Sequence, residues 1–167
     1  MTIRPEQPRD IPSVREVNLS AFPTPAEADL VDVLRIAAAP AISLVADLDE
    51  SVVGHIFFSP VTLANWPDLR MMGLAPLAVG SRWQRRGIGS ALVAAGVESC
   101  RQLGCEAIVV LGHAGFYPRF GFVPASRFGI GCEYDVPDDH FMALELQDGI
   151  LRDKSGTVRY HSAFAGF

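Results

Sequence analysis

With 167 residues, 49% of them hydrophobic, the chain has the length and apolar content expected of one compact domain, residues 1–167, with a full core. Its formal net charge of −5 and pI near 5.3 argue against a general nucleic-acid binder, whose footprint is basic, and favour a cationic partner such as an amine. Cys100, Cys105 and Cys132 lack Cys-x-x-Cys spacing, so neither a disulfide framework nor a metal site is indicated. The absence of an apolar leader and of a bilayer-length apolar run makes the expectation a protein of the reducing cytoplasm with no membrane partner.

In chain order, residues 2–4 predict a short strand that Pro5 and Pro8 stop. Asp10 is a good N-cap, with Pro12 in the first turn of a helix whose apolar face is Ile11, Val14 and Val17. Thr24-Pro25-Ala26-Glu27 reads as a capping box opening a second helix through Leu30, Leu34 and Ala38, which Pro40 ends. Residues 42–46 and 52–63 have strand character, and the turn-like Leu48-Asp49-Glu50-Ser51 between them predicts a hairpin, with Gly54 at a bulge. Asn65-Trp66-Pro67-Asp68 interrupts the sheet pattern, and residues 70–79 predict the next strand.

Residues 88–103 then carry Leu92, Val93, Gly96, Cys100 and Leu103 at helical spacing. Residues 106–111 are almost wholly apolar and read as a buried parallel strand, completing a strand-helix-strand unit. Residues 141–146 predict another strand, preceded by a variable acidic loop rich in Gly, Pro and Asp. Residues 160–164 read either as an edge strand or as a cover over the core.

The loop between the 70–79 strand and the long helix is basic and opens the helix with Gly87 and Gly89. First-turn N–H groups have no partner within a helix, the dipole adds partial positive charge there, and glycines keep Cβ atoms out of a ligand's way. Such an anion cradle has three common forms. A P-loop needs a lysine, and none lies near Gly87; a dinucleotide fingerprint would place a third glycine or alanine where Leu92 stands. Gln84-Arg85-Arg86-Gly87-Ile88-Gly89 instead resembles the Gln/Arg-x-x-Gly-x-Gly/Ala pyrophosphate loop of the GNAT superfamily of acyl-CoA-dependent N-acetyltransferases. Downstream, Phe116-Tyr117-Pro118-Arg119-Phe120-Gly121-Phe122 resembles that family's aromatic motif. The short link Gly112-His113-Ala114-Gly115 before it is similar to the YhbS-like subgroup of acetyltransferases.

The resemblance implies an α/β (α+β) GNAT fold: a mixed, mostly antiparallel twisted sheet with a V-shaped splay between its central parallel strands, and helices on both faces. It implies acetyl-CoA as co-substrate, no metal, and direct transfer in a ternary complex to a primary amine on a small-molecule or peptide acceptor; a homodimer is compatible with it. Carried over by position, the Leu77 N–H faces the acetyl carbonyl and the Val79 backbone binds the pantetheine amide. Gln84, Arg85, Arg86, Gly87, Ile88, Gly89 and Ser90 then hold the pyrophosphate.

Tyr117 is implied as general acid, since a phenol with an ordinary pKa of about 10 is protonated at neutral pH and can supply the departing thiolate. His113 stands where it could approach the cofactor. Glu133, Asp135, Asp138, Asp139 and His140 crowd the acidic loop and His55 lies on a strand that could face the cleft, but none is assigned as the base. A non-catalytic acyl-CoA-binding sensor or regulatory module is the alternative from another class, and Tyr117 weighs against it.

Overall fold

The computed structural model describes residues 1–166; Phe167, the end of the C-terminal stretch, lies outside the described residues. Its elements run β1 (Thr2–Pro5), α1 (Ile11–Ala21), α2 (Ala26–Ala37), β2 (Ile42–Leu48), β3 (Ser51–Leu63), β4 (Trp66–Val79), α3 (Ile88–Leu103), β5 (Ala107–Leu111), β6 (Val123–Pro124), β7 (Ile130–Cys132), β8 (Phe141–Glu145) and β9 (Gly156–Arg159). The sheet order is β1-β2-β3-β4-β5-β8-β6, with β9 joining β3 to β7. Pairing is antiparallel except between β4 and β5 and between β7 and β9.

Alternation along each strand decides which helices cover which face. Leu44 and Ala46 of β2, Ile56 and Phe58 of β3, and Ile108 and Val110 of β5 share one core with Leu92, Val93 and Cys100 of α3. Val45 and Phe57 point the other way, into Val14 of α1 and Leu30, Val31 and Leu34 of α2. α3 lies very close to β3, because a side chain at Gly96 would overlap the Phe58 ring and one at Gly54 would stand 3.0 Å from Ile88 and Leu92. The β2–β3 hairpin turns through Asp49 and Glu50 at φ 51° and 67°, the left-handed pair that suits strand twist.

Several local expectations are corrected by long-range contacts. Asp10 does not cap α1: its carboxylate takes the Gln7 N–H at 2.7 Å and two Arg4 guanidinium bonds at 2.7 and 3.0 Å, tying β1 to the helix entry. Thr24 reaches only the Ala26 N–H, at 3.4 Å, and Glu27 does not close a capping box, since its carboxylate is turned inward. β4 begins at Trp66 rather than residue 70, because Ala64-Asn65 alone make the turn, with Asn65 at φ 74°. The bulge expected at Gly54 falls at its neighbour Val53, skipped between the Ala46↔Gly54 and Asp47↔Val52 pairs. At the C-terminus, Gly156–Arg159 pair as a strand, and Tyr160 and Phe164 cover the core instead.

Candidate active site

The parallel register of β4 and β5 runs from Met71↔Ala107 to Leu74↔Val110 and stops there. Next, β4 sets Ala75 and Pro76 against the single Phe57 of β3, a bulge that bends the strand. Pro76 has no N–H to offer a neighbour. β5 meanwhile ends, and the Gly112 N–H turns to the His140 carbonyl at 2.9 Å. The wedge between the strands is a cavity of about 590 Å³, bordered by residues 74–77 on one side and by Leu111, Gly112, His113, Phe116 and Tyr117 on the other. This is the V-shaped splay expected from the sequence.

At the mouth of the wedge the chain leaves Val79 into the basic loop. Gln84 closes that loop by donating from Nε2 to the Val79 carbonyl at 3.0 Å, so its side chain braces the cradle. Arg85 and Gly87 take left-handed φ values of 63° and 82°, and the Arg86 guanidinium lies 5.2 Å from the Trp83 ring centre. No side chain caps α3, which leaves the first-turn N–H groups of Ile88, Gly89 and Ser90 open. A Cβ on Gly89 would stand 3.8 Å from Phe116 Cζ and Val79 Cγ2 and 3.9 Å from Leu77 Cδ2. The helix start therefore sits between the two walls of the wedge, and the two sequence motifs meet at one place.

Tyr117 opens a 3-10 turn, Tyr117–Phe120, that Gly121 ends at φ 95°. Its ring packs edge-on against Phe116 and Phe122, with centres 5.0 and 5.7 Å away, and stands against Gly112, where any side chain would overlap it. Desolvation pushes the Tyr117 phenol up to about 12. His113 is exposed on the rim, its ring centre 6.4 Å from that of His140.

His55 is absent from the cavity. It is fully buried, with Nδ1 3.2 Å from Asn18 Nδ2 and Nε2 2.9 Å from Ser43 Oγ, and burial pulls it down to about 3, with Arg35 adding to the shift. The acidic loop borders the cavity, but with Tyr134 and Val136 rather than its acids. Glu133 instead accepts the Tyr160 N–H at 3.0 Å, and Asp138 accepts from Ser126 Oγ at 3.0 Å.

Sequence reasoning missed Glu27 and Tyr160, which also border the cavity. For Glu27 a readable signal existed, because it shares a helical stripe with the buried Leu30, Val31 and Leu34. A second cavity, about 720 Å³, lies between α1, the β2–β3 turn and Gly80 to Trp83. Its Arg4 pairs with Asp10 at 2.7 Å and with Asp47 at 3.1 Å, and it contains neither glycine of the α3 start. Among the described residues no group of His, Cys, Asp or Glu side chains could hold a metal ion.

Residues 11–122, a span containing both the basic loop and the aromatic turn, match the model of the acetyltransferase (GNAT) family. The chain belongs to this family, and its fold is the GNAT fold. Over 168 aligned residues, covering 100% of each chain, it is 36% identical to the uncharacterized N-acetyltransferase YhbS of Escherichia coli (strain K12). It is 42% identical to the uncharacterized N-acetyltransferase YjhQ of the same strain over 142 residues, 83% of this chain and 78% of that one. The crystal structure of Escherichia coli YhbS in complex with CoA superposes with a TM-score of 0.92 at 35% identity, covering 98% of this chain and 91% of that chain. A GNAT family acetyltransferase from Brucella melitensis in complex with acetyl-CoA gives a TM-score of 0.79 at 34% identity, covering 98% and 97%.

Proposed function

We propose that this protein transfers an acetyl group from acetyl-CoA to a primary amine in a ternary complex. The observation that carries this reading is the position of Gly89, between Leu77 and Val79 on one wall of the wedge and Phe116, the neighbour of Tyr117, on the other. An anion held on the uncapped start of α3 is thereby next to the wedge that would take the thioester arm. Complexes of YhbS with CoA and of the Brucella melitensis relative with acetyl-CoA support the choice of co-substrate.

In this reading the open N–H groups of Ile88, Gly89 and Ser90, with Arg85 and Arg86, hold the pyrophosphate, and Gln84 braces the loop from behind. Exposed charge at a helix end contributes only about 0.3–1 kcal/mol, so direct N–H bonds supply most of the attraction. The Val79 backbone takes the pantetheine amide, its carbonyl retaining one lone pair beyond the bond from Gln84. The Leu77 N–H stabilises the carbonyl oxygen as it gains charge. The neutral amine nitrogen attacks the carbonyl carbon, the C–S bond breaks, the nitrogen releases one proton to water, and Tyr117 gives its proton to the thiolate and regains one from water. A phenol near 12 is a weaker acid than a thiol in water, but the desolvation that raises Tyr117 raises a thiol in the same wedge as well.

Two observations support one domain working in a reducing cytoplasm. The sheet is continuous from β1 to β9, and Cys100, Cys105 and Cys132 are free thiols. No helix of the described residues is long and apolar enough to cross a membrane. The test is calorimetric titration with acetyl-CoA, followed by release of free thiol in the presence of a panel of primary amines. Binding with no thiol release on any amine would favour a non-catalytic acyl-CoA sensor, and failure to bind would remove the reading altogether.

A further inference from the structure

At the end of the wedge away from the basic loop, the cavity is closed by the start of α2, by Tyr134 and by the segment after β9. Two polar atoms there are buried without a hydrogen-bond partner among the described residues, Glu27 Oε2 and the Tyr160 hydroxyl. The other acids of α2 are engaged: Asp29 with Arg15 at 2.8 Å, and Asp32 with Arg15 at 2.7 Å and Arg35 at 2.9 Å. Among the described residues bordering the cavity Glu27 is the sole carboxylate, and none is a lysine or arginine. An unpaired carboxylate oxygen in an apolar setting is costly, and such groups persist where a ligand supplies the missing donor.

The setting is aromatic. Tyr160 leans on Tyr134, ring centres 6.0 Å apart, and on Phe164, 5.1 Å apart, while Phe22 borders the same space. Tyr160 is held firmly, since a Cβ on Gly73 would stand 2.8 Å from its ring and its N–H bonds Glu133. Rings in this arrangement accept an apolar body edge-on or face-on and attract a cation through their faces. The cavity's 590 Å³ must also admit the thioester end, so the remaining space suits one ring rather than an extended peptide.

We propose that the acceptor is a small monocationic primary amine with a ring-sized apolar body, its ammonium received by the Glu27 carboxylate, to which the nitrogen gives up one proton before it attacks, and its body enclosed by Tyr134, Tyr160 and Phe164. The proposal rests on the acetyltransferase reading above and names the substrate class of that site. A single carboxylate matches one ammonium, so polyamines leave a charge unpaired, and amino acids bring a carboxylate against Glu27.

The experiment measures binding of 2-phenylethylamine, tyramine, spermidine and phenylalanine by calorimetry, on the protein alone and on the protein saturated with CoA. 2-Phenylethylamine and tyramine should bind, and spermidine and phenylalanine should bind at least about tenfold more weakly. Glu27→Gln should weaken 2-phenylethylamine by at least about tenfold, equivalent to about 1.4 kcal/mol, with acetyl-CoA affinity unchanged. Should Glu27→Gln fail to fold, Glu27→Asp withdraws the carboxylate by one methylene and should give the same order. Unchanged amine affinity in the folded Glu27 variant, or tighter binding of spermidine or phenylalanine, would overturn the assignment even with acetyl-CoA binding intact. Loss of acetyl-CoA binding by the wild-type protein would instead strike the acetyltransferase reading, while amine binding without CoA still decides the fate of Glu27.

Discussion

Replacing Gly89 with valine separates ligand binding from folding, because the structure assigns opposite sensitivities to the two. A Cβ at this position makes only ordinary contacts, at 3.8 to 3.9 Å, and Gly89 does not occupy the left-handed region. Valine is also a somewhat better helix former than glycine, so stability should change by less than about 1 kcal/mol, a Tm shift below about 4 °C for a chain of this size. The two methyl groups beyond Cβ, however, fill the gap between Phe116 and Leu77, where the phosphate must approach the first-turn N–H groups. Losing one hydrogen bond to a charged group removes about 1.5–3 kcal/mol, so acetyl-CoA affinity should fall by about tenfold to a hundredfold. Gly89→Ala adds only the tolerated Cβ, as the family motif itself allows, and should cost much less. Gly87→Val is a poorer probe, since φ 82° there adds backbone strain of about 1–2 kcal/mol to any binding effect. Calorimetry with acetyl-CoA and thermal unfolding on the same preparations provide both readouts. A Gly89→Val protein with wild-type Tm and wild-type affinity would refute the placement of the phosphates on α3.

Other perturbations address the chemistry and the frame. Tyr117→Phe should keep acetyl-CoA affinity but lower kcat by roughly 10²–10⁴ in single-turnover experiments; an unchanged chemical step would leave Tyr117 as a wall of the wedge and make water the acid. Gly112→Ala should displace the intact Tyr117 ring, costing about 1–3 kcal/mol in urea unfolding and lowering kcat. In a Tyr117→Ala background that cost should largely vanish, and strict additivity would contradict the contact. His55 has a folded pKa of about 3 against about 6.5 unfolded, so the unfolded chain binds the extra proton between these values. Its contribution is complete above pH 6.5 and is lost as pH falls towards 3, by up to about 1.4 kcal/mol per pH unit. Urea unfolding at pH 7 and pH 5 should show this loss in wild type and a smaller one in His55→Gln; equal losses would show that His55 is not the group responsible.

Features carried by a few adjacent residues were legible in the sequence. The span of α3, the hairpin turn at Asp49 and Glu50, the apolar run of β5 and the glycine-rich helix opening each depend on neighbours in the chain, and each stands where its residue pattern indicates. Family resemblance extended this to the splay of β4 from β5, whose physical origin in the Ala75-Pro76 bulge no local pattern announces. What tertiary structure alone decided is which polar groups are satisfied. Asp10 looked like a cap and became the partner of Arg4, and His55 looked able to face the cleft and became the partner of Asn18 and Ser43. Glu27 looked like half of a capping box, and its Oε2 has no partner among the described residues of an aromatic pouch. That pouch is completed by Tyr160 and Phe164, more than a hundred residues further along, because β9 pairs with the far end of β3 and delivers them there. Capping and periodicity are short-range preferences of about 1 kcal/mol each. A partner brought in by the sheet from elsewhere in the chain can outweigh them, and residue spacing contains no record of where such partners arrive.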